Sequence, residues 1–159
     1  MHVIEVLQHW SENNAFFIWL RESTSVWAYP TVFFLHTLGL IFTAGACVIV
    51  DARLLGAARQ LPVAAFARYF RAIWLGVAVT LVSGLVMLGS DPQAKLENRL
   101  FPLKMLLVAA AVVLTAVLRR RVASAGVESH VSPSTRALAA ASLVCWLGAV
   151  ASGKFAAYF

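Results

Sequence analysis

Charge is what this chain has least of. Only 13% of its 159 residues are Asp, Glu, Lys or Arg, against about a quarter in ordinary soluble domains, while 61% are hydrophobic. Too few polar side chains remain to cover a water-facing surface, which argues against a soluble enzyme and a disordered chain. Acids are scarcer than bases, at seven to thirteen, for a net charge of +6. The bases sit between apolar runs rather than in one patch, so a nucleic-acid partner is not expected. There are two cysteines, Cys47 and Cys145, both inside apolar runs and about 13 Å apart in depth, so they form no disulfide framework. Methionine and histidine do not cluster, which makes a copper path weak, and no ring of charges marks an ion channel. The opening Met1-His2-Val3-Ile4-Glu5 lacks the basic start of a secretory signal and is expected to stay in the mature chain.

What the chain does have is four apolar runs of bilayer length: 26–50, 72–90, 101–118 and 137–156. Lipid offers an exposed peptide group no partner, so each run is expected to be a helix. The fold class expected is therefore all-α, an integral membrane four-helix bundle in a single domain, 1–159. Arg53, Arg59, Arg68 and Arg71 fall between runs one and two, and Arg119, Arg120, Arg121 and Arg136 between three and four. Arg21, Lys95, Arg99, Lys104 and Lys154 fall on the other side. Eight against five places both long loops in the cytoplasm and both termini outside, in a bacterial inner membrane. Ahead of the first run, residues 2–22 carry Val3, Leu7, Trp10 and Phe17 at helical spacing among polar residues. They read as amphipathic helices in the outer interface, the second capped by Asn14. Gly126 to Thr135 reads as a polar loop whose Ser134 or Thr135 caps the fourth run.

Each run also carries a stripe of small and polar residues at steps of three and four. These are His36, Gly39, Thr43, Cys47; Gly76, Thr80, Ser83, Met87, Ser90; Lys104, Val108, Ala111, Thr115; and Ala139, Ser142, Cys145, Ala149, Ser152. Such stripes face other helices in a membrane bundle. His36 is different in kind, because it is the only histidine in any run and lies within about 3 Å of mid-depth. At that depth its neutral ring needs a hydrogen-bond partner or a metal. One reading bonds it to a neighbouring Ser or Thr. The other makes it the iron ligand of haem b, with Gly39 leaving room beside the ring and Thr80 or Ser83 accepting from its second nitrogen. Lys104 and Lys154, near the outer ends of their runs, either snorkel to the interface or hold the two haem propionates. Asp51 at the inner boundary is expected to pair with Arg53 or with an arginine of 68–71.

Trp27-Ala28-Tyr29-Pro30, His36-Thr37-Leu38-Gly39 and Asp51-Ala52-Arg53-Leu54-Leu55-Gly56 together resemble an uncharacterised family of small bacterial four-helix membrane proteins. Phe101-Pro102-Leu103-Lys104-Met105, Trp146-Leu147-Gly148 and Gly153-Lys154-Phe155-Ala156-Ala157-Tyr158 look like its later motifs. The arrangement is more distantly similar to CopD-type copper-resistance proteins and HemJ-type protoporphyrinogen oxidases. In the HemJ type a first-helix His ligates haem b beside a third-helix Lys, and the resemblance maps these onto His36 and Lys104. Where some relatives have a second His near the inner end of helix three, this chain has Val117-Leu118-Arg119-Arg120. The sixth iron ligand is then open among Met87, Met105, Cys145, His2, His9, a partner chain and none.

Function is accordingly expected to be a haem b-binding membrane protein in electron transfer, or the membrane cytochrome subunit of a redox complex. The alternatives are a HemJ-like oxidase of a porphyrin or other hydrophobic substrate, and a non-catalytic accessory or copper-handling bundle. Expected partners are the lipid bilayer and a redox protein or a second copy of the chain.

Overall fold

The computed structural model describes residues 2–124 and 131–155, and these form helices joined by short turns and loops, with no strand among them. The first half of the 126–135 loop, position 156 and the end of the Gly153–Tyr158 motif lie outside the described residues. Four helices are long and apolar enough to cross a membrane: α3 (Tyr29–Leu55), α4 (Tyr69–Ser90), α6 (Leu100–Ser124) and α7 (Pro133–Phe155). Short α1 (His2–Asn13) and α2 (Ala15–Glu22) precede them, and α5 (Pro92–Leu96) joins α4 to α6.

The solvent pattern is that of a protein built for lipid. Between 11% and 28% of the most apolar window of each long helix is buried inside the protein. Outward stand Phe34, Ile41, Leu75, Val82, Leu106 and Val144, each more than half exposed. Inward lie Thr43, Asp51, Ser83, Thr115, Ser142 and Ser152, all below one-tenth exposed. A continuous apolar exterior of this extent on a water-soluble chain would aggregate. In a bilayer it is the surface that costs nothing to expose, and the small-residue stripes become the packing faces.

The sequence places the long helices well and misplaces their ends, for local reasons. The first run begins at Val26, yet α3 starts at Tyr29, because Val26, Trp27 and Ala28 turn against Ser25 before Pro30 opens the helix. At the other end α3 runs past the apolar residues to Leu55, since Asp51 and Arg53 are themselves buried in the bundle. It stops at Gly56, whose φ of 118° lets its N–H and that of Ala57 fold back onto Ala52 and Arg53 carbonyls. The closing Gly of the Asp-x-Arg-Leu-Leu-Gly element is thus a helix stop. Asn14 caps α2 as expected, accepting from the Phe16 N–H. At α7 the capping group is Ser132 rather than Ser134 or Thr135: its Oγ accepts from the Thr135 N–H, with Pro133 at the first helical position. Ser134 and Thr135 receive the Arg121 guanidinium instead.

Packing is a chain of pairs, α4 on α3, α3 on α7 and α7 on α6, while α4 and α6 make no comparable contact. A 3₁₀ segment, Val63–Arg68, fills the space between them at the inner-loop end. Beside it a cavity of about 340 Å³ remains, lined by Trp74 of α4 and Ala116, Arg119, Arg120 and Ala123 of α6. The bundle therefore has one open side.

The N-terminal helices do more than lie in an interface. Arg21 donates to the Ser90 carbonyl at the end of α4 and to Ser11 Oγ, and Ser11 donates to the Gly89 carbonyl. These bonds satisfy carbonyls that a helix C-terminus leaves unpaired. They tie α1 and α2 to the same end as α5, leaving Val6, Trp10, Phe16 and Trp19 exposed on the outer flank.

Candidate functional site

His36 sits on the α3 face turned toward α4. Its Nδ1 lies 3.1 Å from the Thr80 carbonyl oxygen and 3.1 Å from Ser83 Oγ. Ser83 already spends its hydroxyl proton on the Val79 carbonyl at 2.6 Å. A carbonyl oxygen can only accept, so Nδ1 carries the ring proton and Nε2 is left with the lone pair. Among the described residues Nε2 has no hydrogen-bond partner, and it is not one of the enclosed polar atoms.

Gly84 makes this placement possible, and nothing in the sequence singled it out. A methyl group there would come 3.2 Å from the imidazole Cε1. A larger residue would therefore require the ring to shift by a few tenths of an ångström. A glycine at four residues from Thr80 and one from Ser83 was the available signal.

Gly39 plays another part than expected. The space beside it is taken by α4: a Cβ added there would lie 2.7 Å from Thr80 Oγ1 and 3.0 Å from the Gly76 carbonyl oxygen. Gly76 in turn has no room on its α3 side, where Thr43 and the Gly39 carbonyl press against it. The two glycines are the crossing point of α3 and α4, and the room for a flat group is not at Gly39. Thr80 supplies its backbone carbonyl to His36, while its hydroxyl is buried without a partner.

Lys104 of α6 lies within electrostatic range of His36 and lays its Cε and Nζ against Gly153 of α7. His36 thus has α4 against it and the Lys104 charge of α6 within range. Lys154, next to Gly153 on α7, is exposed. The structure brings His36, Thr80, Ser83 and Lys104 to one region, with Gly39 one turn inward and Lys154 apart. Of the candidate sixth ligands, His9 is exposed and bonded to Asn13, and Met105 is 46% exposed. Met87 and Cys145 are half-buried, and the side chain of His2 lies outside the described residues.

No group of three or more His, Cys, Asp or Glu that could hold a metal ion occurs among the described residues. Haem is less demanding, because its porphyrin supplies four ligands and the protein need supply one imidazole. A ring anchored through Nδ1 to a carbonyl, with Nε2 lacking a hydrogen-bond partner among the described residues, fits that need.

A second polar cluster occupies the inner half. Asp51 is 1% exposed, and the expected pairing with Arg53 is absent. Arg53 donates instead to the Leu61 carbonyl, through Nε at 2.9 Å and Nη2 at 2.7 Å. Residues two apart on a helix face different ways, so one cannot reach the other. Arg68, of the 68–71 segment, lies over the Tyr69 ring. Near Asp51, Cys47 Sγ lies 3.9 Å from Thr115 Oγ1, which accepts the Trp146 indole N–H at 3.2 Å.

No protein-family model, curated protein or solved structure matches this chain.

Proposed function

We propose that the chain is a haem b-binding membrane protein of the electron-transfer type, acting alone or as the membrane cytochrome subunit of a redox complex. The observation that carries this is the state of His36 inside the bundle: one nitrogen tied to the Thr80 carbonyl, the other without a partner among the described residues. Bound haem would supply the one-electron chemistry. This chain's part is to orient the imidazole through Thr80 and Ser83 and to keep the site in an apolar surround. Its location in a bacterial inner membrane, with both termini outside, and its use of a redox partner or a second copy belong to the same proposal.

Purification in detergent from haem-replete cells tests it. We expect a Soret band that His36→Ala abolishes or sharply reduces while the helical circular dichroism is kept. A wild-type protein that stays colourless after haemin addition overturns the reading.

One observation favours the HemJ-like oxidase as a second reading, namely that Lys104 comes within range of His36. An amine beside a haem edge can accept or return a proton from a hydrophobic substrate, which a plain electron carrier does not need.

A further inference from the structure

Buried polar groups are almost always satisfied, and each exception asks for an explanation. Four side-chain atoms are exceptions among the described residues, and two of them adjoin: Asp51 Oδ2 on α3 and Ser142 Oγ on α7. Both residues are 1% exposed. Ser142 lies beside the carboxyl without a hydrogen bond of good geometry between them.

No cation compensates Asp51. Among the described residues it has no ion-pair partner. The arginines of the surrounding elements are engaged or turned outward. Arg53 bonds the Leu61 carbonyl, Arg59 the Gly56 carbonyl and Arg121 of α6 the hydroxyls of Ser134 and Thr135. Arg68 stacks on Tyr69, and Arg71 of α4, Arg119 and Arg120 of α6 and Arg136 of α7 are exposed. The other titratable neighbour is Cys47, one turn away on α3.

We propose that Asp51 and Ser142 form a proton-binding site at the inner end of the bundle. The carboxylate takes a proton from inner-side water and becomes the carboxylic acid, and the same O–H bond breaks when the proton returns. Ser142 suits both states, because a hydroxyl both donates and accepts. It donates to the carboxylate and accepts from the acid, so neither form is left unsatisfied once the two side chains close on each other. The site communicates inward only. Beyond Cys47 the polar line ends at the Trp146 indole, which can donate but cannot accept a proton. Helix end and loop begin at Gly56, little more than one turn from Asp51, so water need cross only that turn. The proposal stands whether or not His36 carries haem.

Infrared difference spectroscopy of the full chain in detergent, with pH steps in H₂O and D₂O, tests it. We expect a carboxylic-acid C=O band that disappears as the pH is raised, shifts in D₂O and is missing from Asp51→Asn. In Ser142→Ala the band should persist at a shifted frequency, because the acid has lost its partner. Should Asp51→Asn fail to fold, wild-type protein in liposomes is treated with dicyclohexylcarbodiimide, which attacks protonated carboxyls in apolar surroundings. Mass mapping is expected to place the adduct on Asp51. Identical carbonyl spectra for wild type and Asp51→Asn at every pH, an unshifted band in Ser142→Ala, or no adduct at Asp51 would each overturn the proposal.

Discussion

At the scale of single residues, the hydroxyls of the long helices divide into those that bond their own helix and those, at Thr80 and Ser142, that are buried without a partner. Thr43 returns its hydroxyl to the Gly39 carbonyl, Ser90 to the Met87 carbonyl and Ser152 to the Ala149 carbonyl, each satisfying itself on its own helix. His36, like Trp146, reaches another helix, and it does so through one nitrogen with the other lacking a partner among the described residues. The glycines divide in the same manner. Gly76 is locked against Thr43 and the Gly39 carbonyl, whereas Gly45 has open space where a Cβ would go. We expect Gly76→Val to force α3 and α4 apart at a cost of about 1–3 kcal/mol or more. Gly45→Val should stay within about 0.5 kcal/mol of wild type. Thermal unfolding in detergent separates the two. Lys104 and Lys154 should also differ. If haem is bound, Lys104→Ala lowers its retention more than Lys154→Ala, because only Lys104 lies near His36 and against Gly153. Equal haem loss in the two variants, measured by the Soret-to-protein ratio, would speak against this division.

At the scale of elements, the ends of the helices carry most of the specific chemistry. Arg53 closes the α3–α4 connection by bonding the Leu61 carbonyl, and Arg121 ties the end of α6 to the first turn of α7. Arg21 fixes α2 and α1 to the end of α4 through the Ser90 carbonyl. A charged hydrogen bond of this kind is worth about 1–2 kcal/mol after allowance for exposure. Arg21→Ala should therefore release α1 and α2 while the four long helices stay packed. Hydrogen exchange provides the measurement: amides of 4–22 should exchange faster, and those of α3 and α7 should not change. Faster exchange spread evenly over all helices would mean that Arg21 supports the whole bundle instead.

At the scale of the whole molecule, basic residues gather at the end that carries the 3₁₀ segment, while α1, α2 and α5 occupy the other. By the positive-inside rule the arginine-rich end is expected to be cytoplasmic, as proposed above. Gln60→Cys, in the exposed loop after α3, should be labelled by an impermeant thiol reagent only once the inner membrane is opened. Labelling in intact spheroplasts would invert the assignment. The Asp51–Ser142 pair lies toward the end that carries the 3₁₀ segment and the His36 region toward the other, so the same labelling assigns a side to each.

Sequence by itself determined the all-helical class, the four long helices and the inward turn of the small and polar stripes. Those follow from composition and a 3.6-residue period, since lipid admits apolar side chains outward and satisfied backbone only. It also singled out His36 with the hydroxyl of Thr80 or Ser83 as its partner, and of these Ser83 Oγ lies at Nδ1 while Thr80 offers its carbonyl instead. Tertiary structure decided what periodicity cannot encode, which is the neighbour on the other side of each face. Gly39 met the α4 backbone rather than empty space, and Gly84 turned out to be the seat of the imidazole. Asp51 and Arg53 are close in sequence yet point apart, so the carboxyl met Ser142 and the guanidinium met a loop carbonyl. Which helix pair stays open, α4 and α6, depends on how four similar stripes are shared among neighbours, and only their packing in three dimensions settles that.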